Sequence, residues 1–193
     1  ESLKFVKPVL YDQLIELNPE MRLVFNDAGH ILGSAITELW ITESDNVSKI
    51  VFSGDLGVMD RPILRDPTII KKADYVIMET TYGNRLHPQN AMDVKTLLEI
   101  VLKTAKRGGT TVIPSFAVGR TQELIYEFNH FYNNHEEYHK ELENLMVYVD
   151  SPMATTATEV FRNNAQVFDE EMKETITKGD NPLDFKNLKF TRS

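Results

Sequence analysis

The chain of 193 residues contains no cysteine. Disulfides, thiolate zinc sites and a cysteine nucleophile are excluded together, and any metal must be held by histidine, aspartate or glutamate. The missing thiols fit a reducing cytoplasm. No apolar run approaches the roughly 20 residues that a membrane-spanning helix needs. Glu1-Ser2-Leu3-Lys4 lacks the basic start and apolar stretch of a signal peptide. Basic residues are the minority, 21 against 29 acidic, for a net charge of −8. A protein whose whole surface grips nucleic acid is usually basic, so any such contact must come from a local basic patch or a metal site. The phosphate-loop, dinucleotide and nucleophile-elbow patterns are absent from the sequence. What remains is an ordinary globular composition, 41% hydrophobic and 26% charged, in a chain long enough to bury a core.

The first part reads as strands. Residues Met21 to Asn26, Ala35 to Thr42 and Lys49 to Ser53 carry β-type patterns, with a polar turn at Glu43 to Asn46. Asp74 to Glu79 is an apolar run ending in an acid, and Asp60 to Asp66, with Pro62 inside it and Pro67 just beyond, reads as a loop. The pattern changes near residue 90. Val94, Leu97, Leu98, Val101, Leu102 and Ala105 fall at helical spacing before Gly108-Gly109. Thr110 to Pro114 predicts a buried strand, Gly119 to Asn133 a helix, Leu145 to Val149 a strand and Pro152 to Asn163 a helix; Leu188 to Phe190 looks like a strand beginning. This alternation predicts an α/β fold with a mostly parallel sheet after a β-rich first region. Both ends of the chain read as cuts in something longer.

Four segments can carry chemistry, and each has a plainer structural reading. His30 sits in Asp27-Ala28-Gly29-His30-Ile31-Leu32-Gly33-Ser34, where the glycines let backbone approach a ligand; a turn histidine is the alternative. Asp55, bracketed by glycines in Ser53-Gly54-Asp55-Leu56-Gly57, is a ligand position or simply a turn residue. Glu79 ends an apolar strand, where α/β proteins place functional groups, or serves as a loop acid. Pro114 to Glu123 joins a strand to a helix; its helix start, with Ser115, Gly119 and Arg120, suits a phosphate or is ordinary capping. Asp150-Ser151-Pro152 reads as a cap. His135 and His139 have a spacing that could place a metal on one helix face, but the surrounding charges favour a solvated helix with His130 beside it. His87 precedes a proline and carries no signal.

Taken in this order, the segments resemble the metallo-β-lactamase superfamily, specifically its β-CASP branch of nucleic-acid-processing nucleases. Asp27 to Ala35 is similar to that family's third metal-binding motif, Ser53 to Gly57 to its fourth, and Glu79-Thr80-Thr81-Tyr82-Gly83 to the first β-CASP motif. Residues 114–123 and 147–154 are similar to strand–helix junctions of the β-CASP domain. The signature H-x-H-x-D-H is nowhere in the chain. The resemblance therefore implies the second half of a lactamase-like αββα sandwich over residues 1–88, followed by the first part of a β-CASP domain over residues 89–193.

What the resemblance implies chemically is a fragment of a two-zinc phosphodiester hydrolase acting on RNA. His30 would bind one zinc and Asp55 would bridge both; Glu79 would orient a downstream histidine that protonates the leaving oxygen. Asp55 and Glu79 are thus the expected catalytic residues, with Ser115, Gly119 and Arg120 as phosphate contacts and Arg61, Arg65 and Arg85 as rim or solubilising residues. The expected partner is single-stranded RNA, with no membrane, in the cytoplasm; a homodimeric intact protein is compatible with this. The isolated chain is expected to be inactive and to bind zinc poorly. The competing readings are a non-catalytic RNA-binding or structural module and a DNA-directed member of the same branch.

Overall fold

The computed structural model describes residues 2–86 and 94–191. His87 and the expected boundary between residues 88 and 89 lie outside the described residues. The chain divides into two compact units, Glu1–Asn84 and Arg85–Ser193.

The first unit is built on a five-stranded sheet: β1 (Ile15–Asn18), β2 (Met21–Asp27), β3 (Ala35–Glu43), β4 (Asn46–Phe52) and β5 (Tyr75–Ile77). The strands lie in chain order. The first three pairings are antiparallel, and β5 joins β4 in parallel. The register pairs Asp27 with Ala35, so residues 28–34 form the connection between β2 and β3. Glu43 faces Asn46 across a two-residue turn, in which Ser44 takes a positive φ of 56°. Alternation along β3 buries Ile36 and Glu38. A buried carboxylate needs partners. Glu38 receives the Asn26 side-chain amide at 2.9 Å and an ion pair from Lys49. The small apolar core is Ala28, Ile36 and Val51, flanked by Leu56 and Ile70. Among the described residues of this unit the only helix is a short 3-10 turn, Ser2–Phe5.

The second unit holds α1 (Val94–Lys106), α2 (Arg120–Asn134), α3 (Glu136–Leu142), β6 (Val147–Val149), α4 (Pro152–Asn163), α5 (Glu170–Thr177) and β7 (Leu188–Phe190). The apolar stripe of α1 packs Leu98, Val101 and Leu102 against Phe128 and Phe131 of α2 and Leu142 of α3. Ser151 caps α4 by accepting the Ala154 N–H, and Pro152 occupies its first turn. Asp169 caps α5 in the same way through Met172. β6 and β7 pair in parallel across the α4–α5 crossover.

The expected strand at Thr110 to Pro114 is not formed. The segment joins neither sheet, and Val112 is 84% exposed. Its β-branched residues favour extended backbone, but a strand is defined by pairing, and no described strand lies alongside it. The histidines of the α2–α3 elbow pack rather than radiate. His135 stacks on Phe131 at 4.7 Å between ring centroids, and His139 on Tyr132 at 5.1 Å. His135 precedes α3 as its cap residue, so His135 and His139 do not share one helix face.

Candidate functional site

The connection that carries His30 is held from within and from both sides. Asp27 Oδ1 accepts the Gly29 N–H at 2.9 Å. Ser34 Oγ accepts the N–H groups of His30 and Ile31 at 3.1 and 3.3 Å. Arg61 Nη1 donates to the His30 carbonyl at 3.0 Å, and the Tyr11 hydroxyl donates to the Ser34 carbonyl at 2.8 Å. Burial, reinforced by the nearby Asp27 charge, pushes the Tyr11 hydroxyl up to about 12, so it stays a donor. Burial also raises the Asp27 carboxyl, against the lowering effect of the Gly29 N–H.

The second loop leaves β4 as Ser53 to Gly57 and is pressed against the first. Gly57 donates its N–H to the Ala28 carbonyl at 2.8 Å. A Cβ on Gly57 would stand 1.7 Å from the Gly29 carbonyl oxygen and 2.8 Å from the His30 nitrogen. Only a residue without a side chain permits that approach. The contact brings His30 Nε2 to 3.9 Å from Asp55 Oδ2, with the Asp55 side chain 76% exposed.

Glu79 closes the arrangement from the end of β5. Its Oε1 accepts the Leu56 N–H at 2.7 Å, and its own N–H donates to Ser53 Oγ at 3.0 Å. The Leu56 amide, then the Thr81 hydroxyl, holds the Glu79 carboxyl below its ordinary value. His30, Asp55 and Glu79 are therefore brought together, with Glu79 braced on the loop that presents Asp55. Neutral imidazole and carboxylate are suitable zinc donors, and a closed zinc site takes four. The described residues contain no group of three or more histidines, aspartates and glutamates able to hold a metal. The pair suits zinc in donor type and falls short in donor number. An apolar groove of about 530 Å³ on the same unit, lined by Ile36, Val51, Ile70, Val76 and Met78 with Lys71 and Lys72, includes none of these three residues.

Ser115, Gly119 and Arg120 form their own cluster in the second unit. Gly119 takes a positive φ of 83°. Its N–H donates to Gln122 Oε1 at 2.8 Å, while the N–H groups of Arg120 and Thr121 reach the carbonyls of Val118 and Phe116 at 3.2 and 3.3 Å. These three amides of the helix start are thus engaged by the chain itself. The Arg120 guanidinium reaches Glu123 at 3.0 Å and remains half exposed.

Sequence reasoning did not find Tyr11, Ser34 or Gln122, and weighed Arg61 only as a rim residue. Ser34 had a local signal, a hydroxyl four residues beyond His30 at the end of a glycine-flanked turn. Tyr11 and Arg61 act across 23 and 31 residues and leave no local pattern.

The sequence profile of the Beta-Casp domain matches residues 121–193. Over 183 residues the chain is 34% identical to Ribonuclease TTHA0252 of Thermus thermophilus, covering 95% of this chain and 40% of that protein. It is 36% identical over 189 residues to Transcription termination factor FttA of Methanosarcina mazei, covering 95% of this chain and 28% of that protein. The chain belongs to the β-CASP family. Its likeness extends to Cleavage and polyadenylation specificity factor subunit 3 of Dictyostelium discoideum, 30% identical over 97% of this chain and 23% of that protein. The chain thus spans less than half the length of these β-CASP relatives. Among the described residues no helix is long and apolar enough to cross a membrane.

Proposed function

We propose that this chain is the part of a zinc-dependent, RNA-cleaving hydrolase that presents two metal donors, His30 and Asp55. The observation that carries the reading is their approach to 3.9 Å across two glycine-bearing loops, braced by Glu79 through the Leu56 N–H. The five-stranded sheet serves as half of a metallo-β-lactamase sandwich, and the second unit serves as part of the β-CASP domain. Relatives named as a ribonuclease and as a cleavage and polyadenylation specificity factor subunit support RNA as the substrate class.

When bound, zinc supplies a Lewis acid and brings the pKa of its bound water down to about 7. The residues of this chain do the positioning. Gly29 and Gly57 let the two loops touch. Ser34 and Arg61 fix the backbone that carries His30. Glu79 holds the Asp55 loop by accepting its amide, a supporting role that sets the direction of a donor rather than holding metal. Two donors alone leave the isolated chain without turnover and with weak zinc affinity.

The test uses a polypeptide of the relatives' full length that contains this chain. It should cleave single-stranded RNA, lose cleavage to a zinc chelator, and lose it again in His30→Ala and Asp55→Ala. RNA cleavage at the unmodified rate by either variant would overturn the assignment.

A further inference from the structure

We infer that Phe116 is a stacking platform for one base of single-stranded RNA, with Arg120 holding the neighbouring phosphate. This deepens the proposed function and rests on it. Phe116 is 84% exposed, at the tip of the segment between Thr110–Pro114 and α2. A lone exposed apolar side chain is ordinary on a protein surface. This ring differs because the backbone beneath it is fixed on both sides. The Phe116 carbonyl accepts the Thr121 hydroxyl at 2.7 Å and the Thr121 N–H at 3.3 Å. The Ala117 carbonyl accepts Gln122 Nε2 at 3.1 Å, and the same side chain receives the Gly119 N–H. Gln122 is itself fully buried and donates onward to Thr158 of α4 at 2.9 Å.

A loop held in this way has little freedom left to lose when a ligand settles on it, which is what preorganisation contributes to affinity. Aromatic rings on positively charged surfaces bind single strands by stacking, and tolerate any base because every base has a π-face. The surroundings supply the charge. One N–H of the Arg120 guanidinium reaches Glu123, and the side chain is half exposed, so donors of its planar fork remain for a phosphate. The Ser115 and Thr121 hydroxyls, 3.2 Å apart, lie beside the same backbone. An exposed ring four residues before a half-exposed guanidinium, with two hydroxyls on the same stretch of backbone, matches the alternation of base and phosphate along a single strand. A purely apolar protein partner would have no use for the charge.

The test measures fluorescence anisotropy with the whole chain and two labelled probes of equal length, a 12-nucleotide oligouridylate and the same backbone without bases. Phe116→Ala should weaken binding to the oligouridylate by about five- to a hundredfold, the loss of one stacked base, and leave the abasic strand unaffected. Phe116→Trp should restore or tighten binding. Arg120→Ala should weaken both strands alike. The inference is overturned if Phe116→Ala matches the unmodified chain on the oligouridylate, or weakens both probes equally. It is also overturned if Phe116→Ala lowers the melting temperature without changing RNA affinity, which would assign the ring to packing. If the unmodified chain binds RNA and only the Phe116 effect is missing, stacking alone falls. If it binds neither probe, the RNA reading falls and the platform with it.

Discussion

Glu79 accepts the Leu56 N–H more strongly as a carboxylate than as a neutral acid, and that difference sets its response to acid. A group whose folded pKa lies below its unfolded value contributes stability above the unfolded value and loses it as pH falls through the folded one. The Glu79 carboxyl is held below its ordinary value of 4.5 by the Leu56 amide first and Thr81 second. The Asp55 loop should therefore keep its full brace from neutral pH down past 4.5 and hold more weakly at lower pH. The Leu56 amide shift, followed by ¹⁵N NMR, should titrate with a midpoint below 4.5 and should show no such step in Glu79→Gln. A midpoint at or above 4.5 would contradict the bond's effect on the carboxyl. Tyr11 works in the opposite sense at the other end of the scale. Its hydroxyl is displaced upward to about 12, so its contribution to holding Ser34 persists through neutral pH and fades only as pH rises from about 10 toward that value.

Helix α2 meets α4 through a buried polar contact. Gln122 and Thr158 are both fully buried and bonded to each other at 2.9 Å. Replacing Gln122 by alanine would leave the Gly119 N–H, the Ala117 carbonyl and the Thr158 hydroxyl short of a partner. A buried group left unsatisfied costs about 1–3 kcal/mol. In a chain of this size each 1 kcal/mol lowers Tm by about 2–4 °C, so Gln122→Ala should lower the melting temperature by about 2–12 °C, whereas exposed Thr156→Ala should move it little. An unchanged melting temperature in Gln122→Ala would mean that the network contributes nothing. The elements that carry this network were legible in unequal measure. Helix α4 has a serine cap, a first-turn proline and an apolar stripe, and its bounds follow from those local signals. β3 was legible from its alternation. β1 was missed because its alternation runs for only four residues, three of them exposed. Helix α5 was missed because its buried face rests largely on Met172. The Thr110 to Pro114 segment misled because strand-forming composition is local while a strand partner is not. The site followed the same division. Its three named residues stood at glycine-marked turns or a strand end, and its supports came from residues distant in sequence.

Two apolar clusters stand out among the described residues. Ala28, Ile36 and Val51 belong to the first unit, and Leu98, Val101, Leu102, Phe128, Phe131 and Leu142 to the second. A chain with two cores departs from all-or-none unfolding when each can melt on its own. Calorimetry should resolve two transitions. Leu98→Ala, which removes a fully buried side chain at a cost of about 2–5 kcal/mol, should lower one of them and leave the amide spectrum of residues 27–34 and 53–57 unchanged. A single transition that shifts as a whole would show that the two cores melt together. The contact between Gly29 and Gly57 has a consequence of another kind. Each loop is shaped to the other's backbone, so neither is portable by itself. A transplant of the histidine loop into another scaffold, or a randomised library built on one loop alone, would break the fit that sets the two donors at their separation. The pair is one module written in two places, and mutational searches that vary both stretches together are the ones that can find working alternatives.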